Sequence, residues 1–343
     1  MTDKEYSHLL DRLLDGHALT EREAYELMHK LAEGELPSAL AGALLAGLRA
    51  KGETADEIRG FATAMRELAV HPQIPAGAPT VDTVGTGGDG SGSLNLSTGT
   101  GLLAAAVGSR VVKHGNRSVS SRSGSADMLE CLGMPLPLRE KEAVACLEVT
   151  NFTFLFAPAY HPAMKAVVPI RGALSVRTVF NILGPLTNPA APPFQLIGAF
   201  SKDAARLMAD TLAGMPLERA FVVHGEPGWD EATPAGDFCL YDVRPGSVTE
   251  TKRSPEDYGL KRCRPEDLEG GDAQHNAREL TRVFTGEDKG AHRDALLMGT
   301  SLVLEVQGDA KDAVDGVAKA AAAIDDGRAA AFLQKMREHF ASS

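Results

Sequence analysis

The sequence predicts a small all-helical domain over residues 1–72, followed by a larger α/β domain with a mostly parallel central sheet over residues 78–343. Two observations carry this prediction. The first seventy residues contain helix-start signals and apolar side chains at helical spacing, with no strand-like segment between them. Beyond the segment 71–79, a linker rich in Pro and Gly, short β-branched runs alternate with helical segments, which is typical of an α/β fold.

The helices of the first part are predicted from their starts. Thr20 and Glu23 have the spacing of a capping box, in which two side chains satisfy backbone N–H groups at the beginning of a helix. Thr54 and Glu57 repeat this pattern before a second amphipathic helix. Between these two helices, Pro37 suits the start of a helix rich in Ala and Leu.

The elements of the second part are predicted from apolar runs and their punctuation. Predicted strands are 80–84, 109–113, 152–156, 194–200 and 220–224, and predicted helices include 101–107, 202–215 and 312–326. In open parallel sheets, ligands bind at the carboxyl ends of the strands. Functional residues are therefore expected in the segments that follow these strands.

The composition argues against several classes of protein. The chain has 343 residues, with 35 Lys and Arg against 46 Asp and Glu, and the net charge of −11 disfavours nucleic-acid binding. No apolar run approaches the roughly 18–20 residues that span a bilayer, and the first residues lack a signal-peptide pattern. The four scattered cysteines form no CxxC pair. We therefore expect a cytoplasmic protein without a membrane or nucleic-acid partner.

One part of this acidic chain has the opposite charge. The window 90–126 contains no Asp or Glu, and it carries four cations, Arg110, Lys113, Arg117 and Arg122. It is also rich in Gly and Ser. A cationic window of this composition in an acidic protein predicts a site for a small anion.

The first loop of this region, 85–99, reads GTGGDGSGSLNLSTG. Its glycines allow backbone N–H groups to approach a phosphate, and the following helix adds its positive N-terminus. The loop also matches the dinucleotide fingerprint G-x-G-x-x-G, but the acid that should follow about twenty residues later is missing from 108–113. No Gly-Lys-Ser/Thr completes a Walker A motif. A plain tight turn is the remaining alternative.

The second loop, 113–127, reads KHGNRSVSSRSGSAD and follows the next predicted strand. Lys113 and Arg117 supply charge, while Asn116 and the serines supply oriented hydrogen-bond donors. These residue types predict a second phosphate-binding surface. A solvated Ser-rich loop is the alternative, and a lone histidine such as His114 is more often structural than catalytic.

Together, the two loops closely resemble those of the anthranilate phosphoribosyltransferase family of tryptophan biosynthesis. The segments 161–189 (HPAMKAVVPIRGALSVRTVFNILGPLTNP) and 222–231 (VVHGEPGWDE) resemble the same family, as do GAHRDALLMGTSLVL and AIDDGRA near the C-terminus. The blocks follow the family's order over nearly the whole chain. The resemblance implies a fold like that of the nucleoside phosphorylases, with part of 163–187 completing the helical domain, and a homodimer.

The resemblance also implies a reaction and its residues. The phosphoribosyl group of 5-phosphoribosyl 1-diphosphate is transferred to the amine of anthranilate, which gives N-(5-phosphoribosyl)anthranilate and diphosphate with the help of Mg²⁺. The implied ligands of phosphoribosyl diphosphate are Gly85, Gly88, Asp89, Ser93, Asn95, Leu96, Ser97, Thr98, Lys113, His114, Gly115, Asn116, Arg117, Ser118, Val119, Ser120, Ser121 and Ser125. The implied anthranilate ligands are Gly85, Asn116 and Arg171, and the implied magnesium ligands are Ser97, Asp230 and Glu231.

The chemistry agrees with these assignments. A diphosphate leaving group needs neutralisation by a hard cation, which carboxylate and hydroxyl oxygens hold. Asp230 and Glu231 follow the apolar run 220–223, which places them at the carboxyl end of a strand, on a loop that we expect to be accessible. The arylamine is neutral at pH 7, so we assign no catalytic base, and His114 and His161 are expected to support packing.

Two arginines, Arg171 and Arg177, compete for the carboxylate of anthranilate. If the segment is helical, six residues amount to about 240° of net rotation, so the two side chains face different directions. The family pattern favours Arg171. Arg177 is then expected to serve structure or the dimer interface.

Three other functions stay open at this stage. A pyrimidine nucleoside phosphorylase of the same fold would not need the Asp-Glu pair, and a thymidine phosphorolysis assay separates it. A non-catalytic nucleic-acid-binding relative should be basic along its groove. A nicotinamide-dependent dehydrogenase is disfavoured by the missing acid in 108–113.

Overall fold

The computed structural model describes residues 3–117 and 122–341. Its helices are α1 (Asp3–Leu14), α2 (Glu21–Glu33), α3 (Ser38–Lys51), α4 (Ala55–Glu67), α5 (Leu96–Val107), α6 (Ser125–Cys131), α7 (Glu140–Thr150), α8 (Ala157–Tyr160), α9 (Met164–Leu174), α10 (Phe180–Leu183), α11 (Lys202–Ala213), α12 (Ala273–Phe284), α13 (Ala291–Gln307), α14 (Ala313–Asp325) and α15 (Arg328–Ala341). Its strands are β1 (Thr80–Gly85), β2 (Arg110–Gly115), β3 (Phe152–Phe156), β4 (Phe194–Gly198), β5 (Arg219–Gly225), β6 (Phe238–Arg244) and β7 (Ser247–Arg253).

Helices α2 and α4 begin at the predicted capping boxes, and α3 begins directly after Pro37. At the start of α2, Thr20 Oγ1 accepts a hydrogen bond from the N–H of Glu23 at 3.2 Å, and Glu23 accepts one from the N–H of Thr20 at 2.8 Å. The same box is formed by Thr54 and Glu57 at the start of α4. Glu57 is fully buried and also accepts from the N–H of Leu19 at 2.8 Å. This cap therefore ties α4 to the beginning of α2.

The described strands form one seven-stranded sheet in the order β3-β2-β1-β4-β5-β6-β7. The first five strands in this order are parallel, while β6 and β7 are antiparallel, so the mostly parallel sheet is confirmed. The sequence did not predict β6 and β7. Strand β7 reads SVTETKR and is largely exposed, so it lacks the apolar alternation by which a strand is recognised.

Two apolar cores lie on the two faces of the sheet. One core joins β-strand side chains such as Phe152 and Phe221 to helices α5, α6 and α12–α15. The other joins Ile197 and Val222 to α11, α10 and the N-terminal helices. The helical part of the protein is thus continuous with one face of the sheet.

Helix α9 shares an apolar core with the four N-terminal helices α1–α4, although it lies about a hundred residues further along the chain. These five helices are called the helical layer below. Helix α9 packs against α2 and α3, and Val167 on it is fully buried in the same core as their apolar residues. A Cβ atom added to Gly34 would lie 3.4 Å from the Cβ of Ala166, and one added to Gly42 would lie 3.7 Å from Leu174. Small residues on the first helices therefore make room for α9.

The structure bears on two expectations from composition. Within 3–117 and 122–341, no helix is both long enough and apolar enough to cross a membrane. All four cysteines fall in the described residues and are free thiols, with Cys146 buried and Cys131 exposed. No disulfide bond therefore contributes to the stability of this fold.

Candidate active site

Several of the predicted site residues, among them Ser97, Asp230 and Glu231, lie together where the strand order of the sheet reverses. From β1, the chain continues to β2 and β3 on one side and then to β4 and β5 on the other side. In a parallel sheet this arrangement opens a crevice at the carboxyl ends of the two central strands. The loop that follows β1, residues 86–95, lies at this crevice and is called the glycine loop below.

The glycine loop is held by its backbone. The N–H of Thr86 donates to the carbonyl of Gly198 at 3.0 Å, and the N–H of Gly87 donates to Oδ2 of Asp230 at 2.6 Å. Asp89 Oδ2 in turn accepts from the N–H of Asp230 at 3.2 Å. The loop needs glycine because its turns require positive φ, for example 67° at Gly87.

Asp230 fits against the ends of β1 and β4 only because two glycines leave space. A Cβ atom at position 198 would lie 1.6 Å from the carbonyl oxygen of Asp230, and one at Gly85 would lie 2.5 Å from its Oδ2. Asp230 lies five positions beyond Gly225, the last residue of β5, on a segment that turns back across the sheet edge. Its predicted place at this edge is correct. The expected accessibility is wrong, because Asp230 is only 8% exposed.

The three implied magnesium ligands, Ser97, Asp230 and Glu231, lie together. Oε1 of Glu231 accepts from the N–H of Ser97 at 3.1 Å, in the first turn of α5. The Nζ of buried Lys113 donates to Ser97 Oγ at 3.2 Å and to the carbonyl of Thr83. The positive end of α5 thus faces a carboxylate, as the helix dipole favours.

The site brings several acidic groups close to one buried cation, and burial opposes the charged form of each. Burial, and then the neighbouring Asp89, raise the pKa of Asp230 well above its ordinary value. Burial and then Asp230 raise the pKa of Glu231 in the same way. Burial lowers the pKa of Lys113, an effect that the surrounding carboxyl groups oppose. The carboxyl groups of Asp89, Asp230 and Glu231 and the hydroxyl of Ser97 are hard oxygen donors, the type of ligand that divalent cations prefer.

Sequence reasoning missed Asp82 and Asn188, whose hydrogen bonds fix the backbone of β2 next to the site. Asp82 is fully buried and accepts from the N–H of His114 at 3.2 Å and from Nδ2 of Asn188 at 2.8 Å. Burial raises the pKa of Asp82 to about 6. Asn188 also donates to the carbonyl of Val112 at 2.7 Å. An acid inside the β-branched run 80–84 was the available signal, since an acid rarely occupies a buried strand without a task.

The second loop is only partly as predicted. Arg117 pairs with Asp127 at 2.7 Å and with Glu130 at 2.6 Å, so its charge is compensated on α6. Asn116 is exposed, and its carbonyl accepts from the N–H of Ala126, next to Ser125. Gly115 ends β2 close to Ser125. The remaining predicted donor ligands of this loop, Ser118, Val119, Ser120 and Ser121, lie outside the described residues.

The side chains around the start of α5 differ in whether they are free to contact a ligand. Asn95 is occupied by protein partners, because it bonds Ser123 at 3.1 Å and accepts from Asn276 at 2.8 Å. Leu96 and Thr98 are buried, so their side chains are not accessible to a ligand. Ser93 lies in the turn with its Oγ 3.2 Å from that of Ser91, and Gly88 and Asp89 lie at the loop tip.

The two candidate arginines have different surroundings. Helix α9 ends at Leu174, so Arg177 lies beyond the helix and the rotation estimate does not apply. Arg171 lies over the ring of Phe180 at 5.3 Å, and burial lowers its pKa. Within the described residues, no carboxylate pairs with its guanidinium in an ion pair. Arg177 donates to the carbonyl of Gly88 at 2.7 Å.

His114 and His161 form a buried pair with ring centroids 5.0 Å apart. Burial lowers the pKa of His114 to about 3 and that of His161 to about 4. The Nδ1 atom of His114 lies 3.3 Å from the carbonyl of Gly184. Both rings are therefore neutral at pH 7, and their contacts are those of packing residues.

The neutral state of His161 predicts a loss of stability in acid. Histidine in the unfolded chain titrates near pH 6.5, whereas folding lowers its pKa here to about 4. Between these values, the unfolded chain binds a proton that the folded protein does not, so this contribution to stability falls as the pH falls. From about pH 7 to about pH 5, we expect a loss of about 2 kcal/mol through this residue. Urea denaturation at both pH values measures it.

The control for this prediction is His161→Gln. Asp82, whose pKa is raised, changes stability in the opposite direction over the same pH range. The informative quantity is therefore the difference in unfolding free energy between the wild type and the variant. That difference should move by about 2 kcal/mol in favour of the variant at the lower pH. A difference independent of pH would contradict a neutral buried His161.

Comparison with known proteins places this geometry in a family. The profile described as the helical bundle domain of a glycosyl transferase family matches residues 7–69, and the profile of the a/b domain of that family matches residues 77–330. An anthranilate phosphoribosyltransferase from Rubrobacter xylanophilus is 44% identical over 320 residues, which is 93% of either chain.

Solved structures agree with this assignment. The anthranilate phosphoribosyltransferase of Thermus thermophilus superposes with a TM-score of 0.90 at 41% identity, covering 97% of this chain and 99% of that one. The enzyme from Saccharomyces cerevisiae, in complex with PRPP and Mg, gives a TM-score of 0.90 at 25% identity, covering 100% and 99%. The chain therefore belongs to the anthranilate phosphoribosyltransferase family.

Proposed function

We propose that this chain transfers the phosphoribosyl group of 5-phosphoribosyl 1-diphosphate to the amine of anthranilate, as a magnesium-dependent step of tryptophan biosynthesis. The observation that carries the proposal is the crowded acidic group of Asp89, Asp230 and Glu231 beside the glycine loop. Such a group has little use in a dehydrogenase or a nucleic-acid-binding relative, whereas a donor that leaves as diphosphate needs a cation there.

The donor side of the site is built by the glycine loop and the second loop. Backbone N–H groups and hydroxyls of the glycine loop supply hydrogen-bond donors for phosphate oxygens, and Lys113 adds positive charge beneath Ser97. Ser97, Asp230 and Glu231 would hold Mg²⁺, which neutralises the leaving diphosphate when it is bound. For Arg117 to contact phosphate, it must exchange its partners Asp127 and Glu130 for the ligand.

The acceptor side is assigned to Arg171, Gly85 and Asn116. A planar guanidinium holds a carboxylate in a fixed fork and thereby orients the amine of anthranilate toward the anomeric carbon. The amine needs no base to become nucleophilic, because it is neutral at pH 7. Catalysis is then positioning and electrostatic stabilisation, without a general base among the residues of the site.

We further propose a cytoplasmic homodimer with a helical domain of residues 1–72 and part of 163–187, and an α/β domain of 78–343. The free thiols suit a reducing compartment. Of the large apolar side chains exposed in the described residues, Leu14 lies on α1, Val168 on α9 and Val176 just beyond α9. The homodimer itself is what the family resemblance implies, and a contiguous apolar patch formed by these side chains would mark its interface.

The test is the fluorescence of anthranilate. On mixing the enzyme with anthranilate, phosphoribosyl diphosphate and Mg²⁺, the fluorescence should fall as the product forms. Reactions lacking the donor or containing a chelator are the controls, and thymidine with phosphate tests the phosphorylase alternative. An unchanged anthranilate signal, or phosphorolysis of thymidine, would overturn the proposal.

A further inference from the structure

We propose that Arg177 is a positioning residue that fixes the glycine loop for the phosphoribosyl diphosphate donor. The proposal rests on the proposed function, and it gives Arg177 a task separate from that of Arg171. Its basis is a set of contacts that join the segment after α9 to the tip of the loop.

The guanidinium of Arg177 holds the loop from its open side. The distance from Nη2 of Arg177 to the carbonyl oxygen of Gly88, to which it donates, is 2.7 Å. Gly88 directly precedes Asp89 in the loop. The beginning of the glycine loop is held by other partners, because the N–H groups of Thr86 and Gly87 donate to Gly198 and Asp230. Arg177 therefore supplies a side-chain contact to the next residue of the loop, Gly88.

The guanidinium of Arg177 is itself positioned by the ring of Phe200, which is called its platform below. Its guanidinium carbon lies 4.2 Å from the centroid of the Phe200 ring, which is the geometry of a cation–π contact. The N–H of Phe200 donates to Thr86 Oγ1 at 3.0 Å, so the platform is bonded to the same loop. Since Arg177 is largely exposed, this ring and the Gly88 carbonyl define where its charge lies.

The backbone of Arg177 extends the connection to the helical layer. Nη1 of Arg49, on α3, donates to the carbonyl of Arg177 at 2.5 Å. The path therefore runs from α3 through Arg177 to Gly88. Arg171, with its proposed acceptor contact, lies six residues earlier, so one short segment would serve both substrates.

The energetic consequence concerns donor binding. Gly87, Gly88, Gly90 and Gly92 all have positive φ, and a loop so rich in glycine loses much conformational entropy when it is ordered. If Arg177 orders the loop in advance, the donor does not bear that cost when it binds. Removal of the contact should therefore raise the KM for the donor and leave kcat nearly unchanged at saturating donor.

The experiment compares Arg177→Ala, Arg177→Lys and Phe200→Leu with the wild-type enzyme. We expect Arg177→Ala to raise the KM for phosphoribosyl diphosphate about tenfold, through loss of the hydrogen bond and the ring contact. Phe200→Leu should raise it by about threefold, because it removes the platform alone. Lysine should recover only part of the loss, since an ammonium cannot stack as a planar fork does. The KM for anthranilate should stay within about twofold in all three.

The matched control is Arg22→Ala, which removes an arginine stacked at 5.6 Å over Tyr25 in the helical layer. It should leave the KM for both substrates unchanged. Calorimetric titration of each protein with phosphoribosyl diphosphate and Mg²⁺ gives donor affinity without turnover. An unchanged donor affinity in Arg177→Ala, or a rise confined to the KM for anthranilate, would overturn the proposal. Failure of the proposed function would instead be seen as absence of turnover in the wild type.

Discussion

Asp230→Asn combined with Glu231→Gln is expected to lower kcat by about a thousandfold or more, which corresponds to the several kcal/mol that metal-assisted charge neutralisation supplies. The two amides keep the shape of the carboxyl groups and their hydrogen-bond acceptors. The amide oxygen at position 230 can still accept from the N–H of Gly87, and the one at position 231 from the N–H of Ser97. What the variant loses is the charge that holds a cation against the leaving diphosphate.

Stability should change in the opposite direction from activity in this variant. Asp230 is buried next to Asp89 and Glu231, so neutral amides relieve repulsion and desolvation in the free protein. We expect a Tm equal to or above that of the wild type. Initial rates over a magnesium titration, together with thermal melts, measure the two effects separately.

The control carries the same change in charge outside the site. Glu226→Gln with Asp237→Asn neutralises two acids whose carboxylates pair with Lys252 and Arg262 rather than with the glycine loop. It should leave kcat nearly unchanged. Near-normal turnover of the Asp230 and Glu231 double variant in saturating magnesium would show that the proposed metal ligands are wrong.

Arg171→Ala is expected to raise the KM for anthranilate about 10- to 100-fold, equivalent to about 1.5–3 kcal/mol. In the described structure the guanidinium of Arg171 is half-buried against Phe180, without an acid in an ion pair with it. Such a cation is available to a carboxylate ligand. Donor affinity should barely change, because the glycine loop is held by other residues.

Two variants sharpen this test. Arg171→Lys should recover only part of the affinity for anthranilate, since an ammonium cannot form the planar fork. Arg177→Ala should show the complementary pattern, with a weakened donor and an unchanged acceptor. If Arg177→Ala loses anthranilate affinity while Arg171→Ala retains it, the two assignments must be exchanged. Steady-state titration of each substrate at saturating levels of the other distinguishes these outcomes.

The parts that sequence predicted well are those encoded locally. The capping boxes at Thr20 and Thr54 bring together residues three positions apart, and both are present. The run 80–84 followed by a glycine loop and an apolar helix predicted the β1–α5 unit for the same reason. The family resemblance added Asp230, whose assignment to the site no local pattern could supply.

The parts that sequence missed depend on distant segments. The contact of Asp82 with Asn188 joins residues 106 positions apart, and that of Arg177 with Gly88 joins residues 89 positions apart. Counting charges along the chain also overlooked the partners of Arg117. Asp127 begins where the acid-free window ends, and α6 carries it and Glu130 back against the arginine.

The position of α9 affects how the protein is made. The groove between α2 and α3 is filled by Val167, Ile170 and Leu174, which are synthesised about a hundred residues after the end of the first four helices. At about 5–20 residues per second, the early bundle waits several seconds on the ribosome with this apolar groove open. During that interval the apolar side chains of α2 and α3 that α9 covers stay open to solvent, and this groove closes only when α9 has emerged.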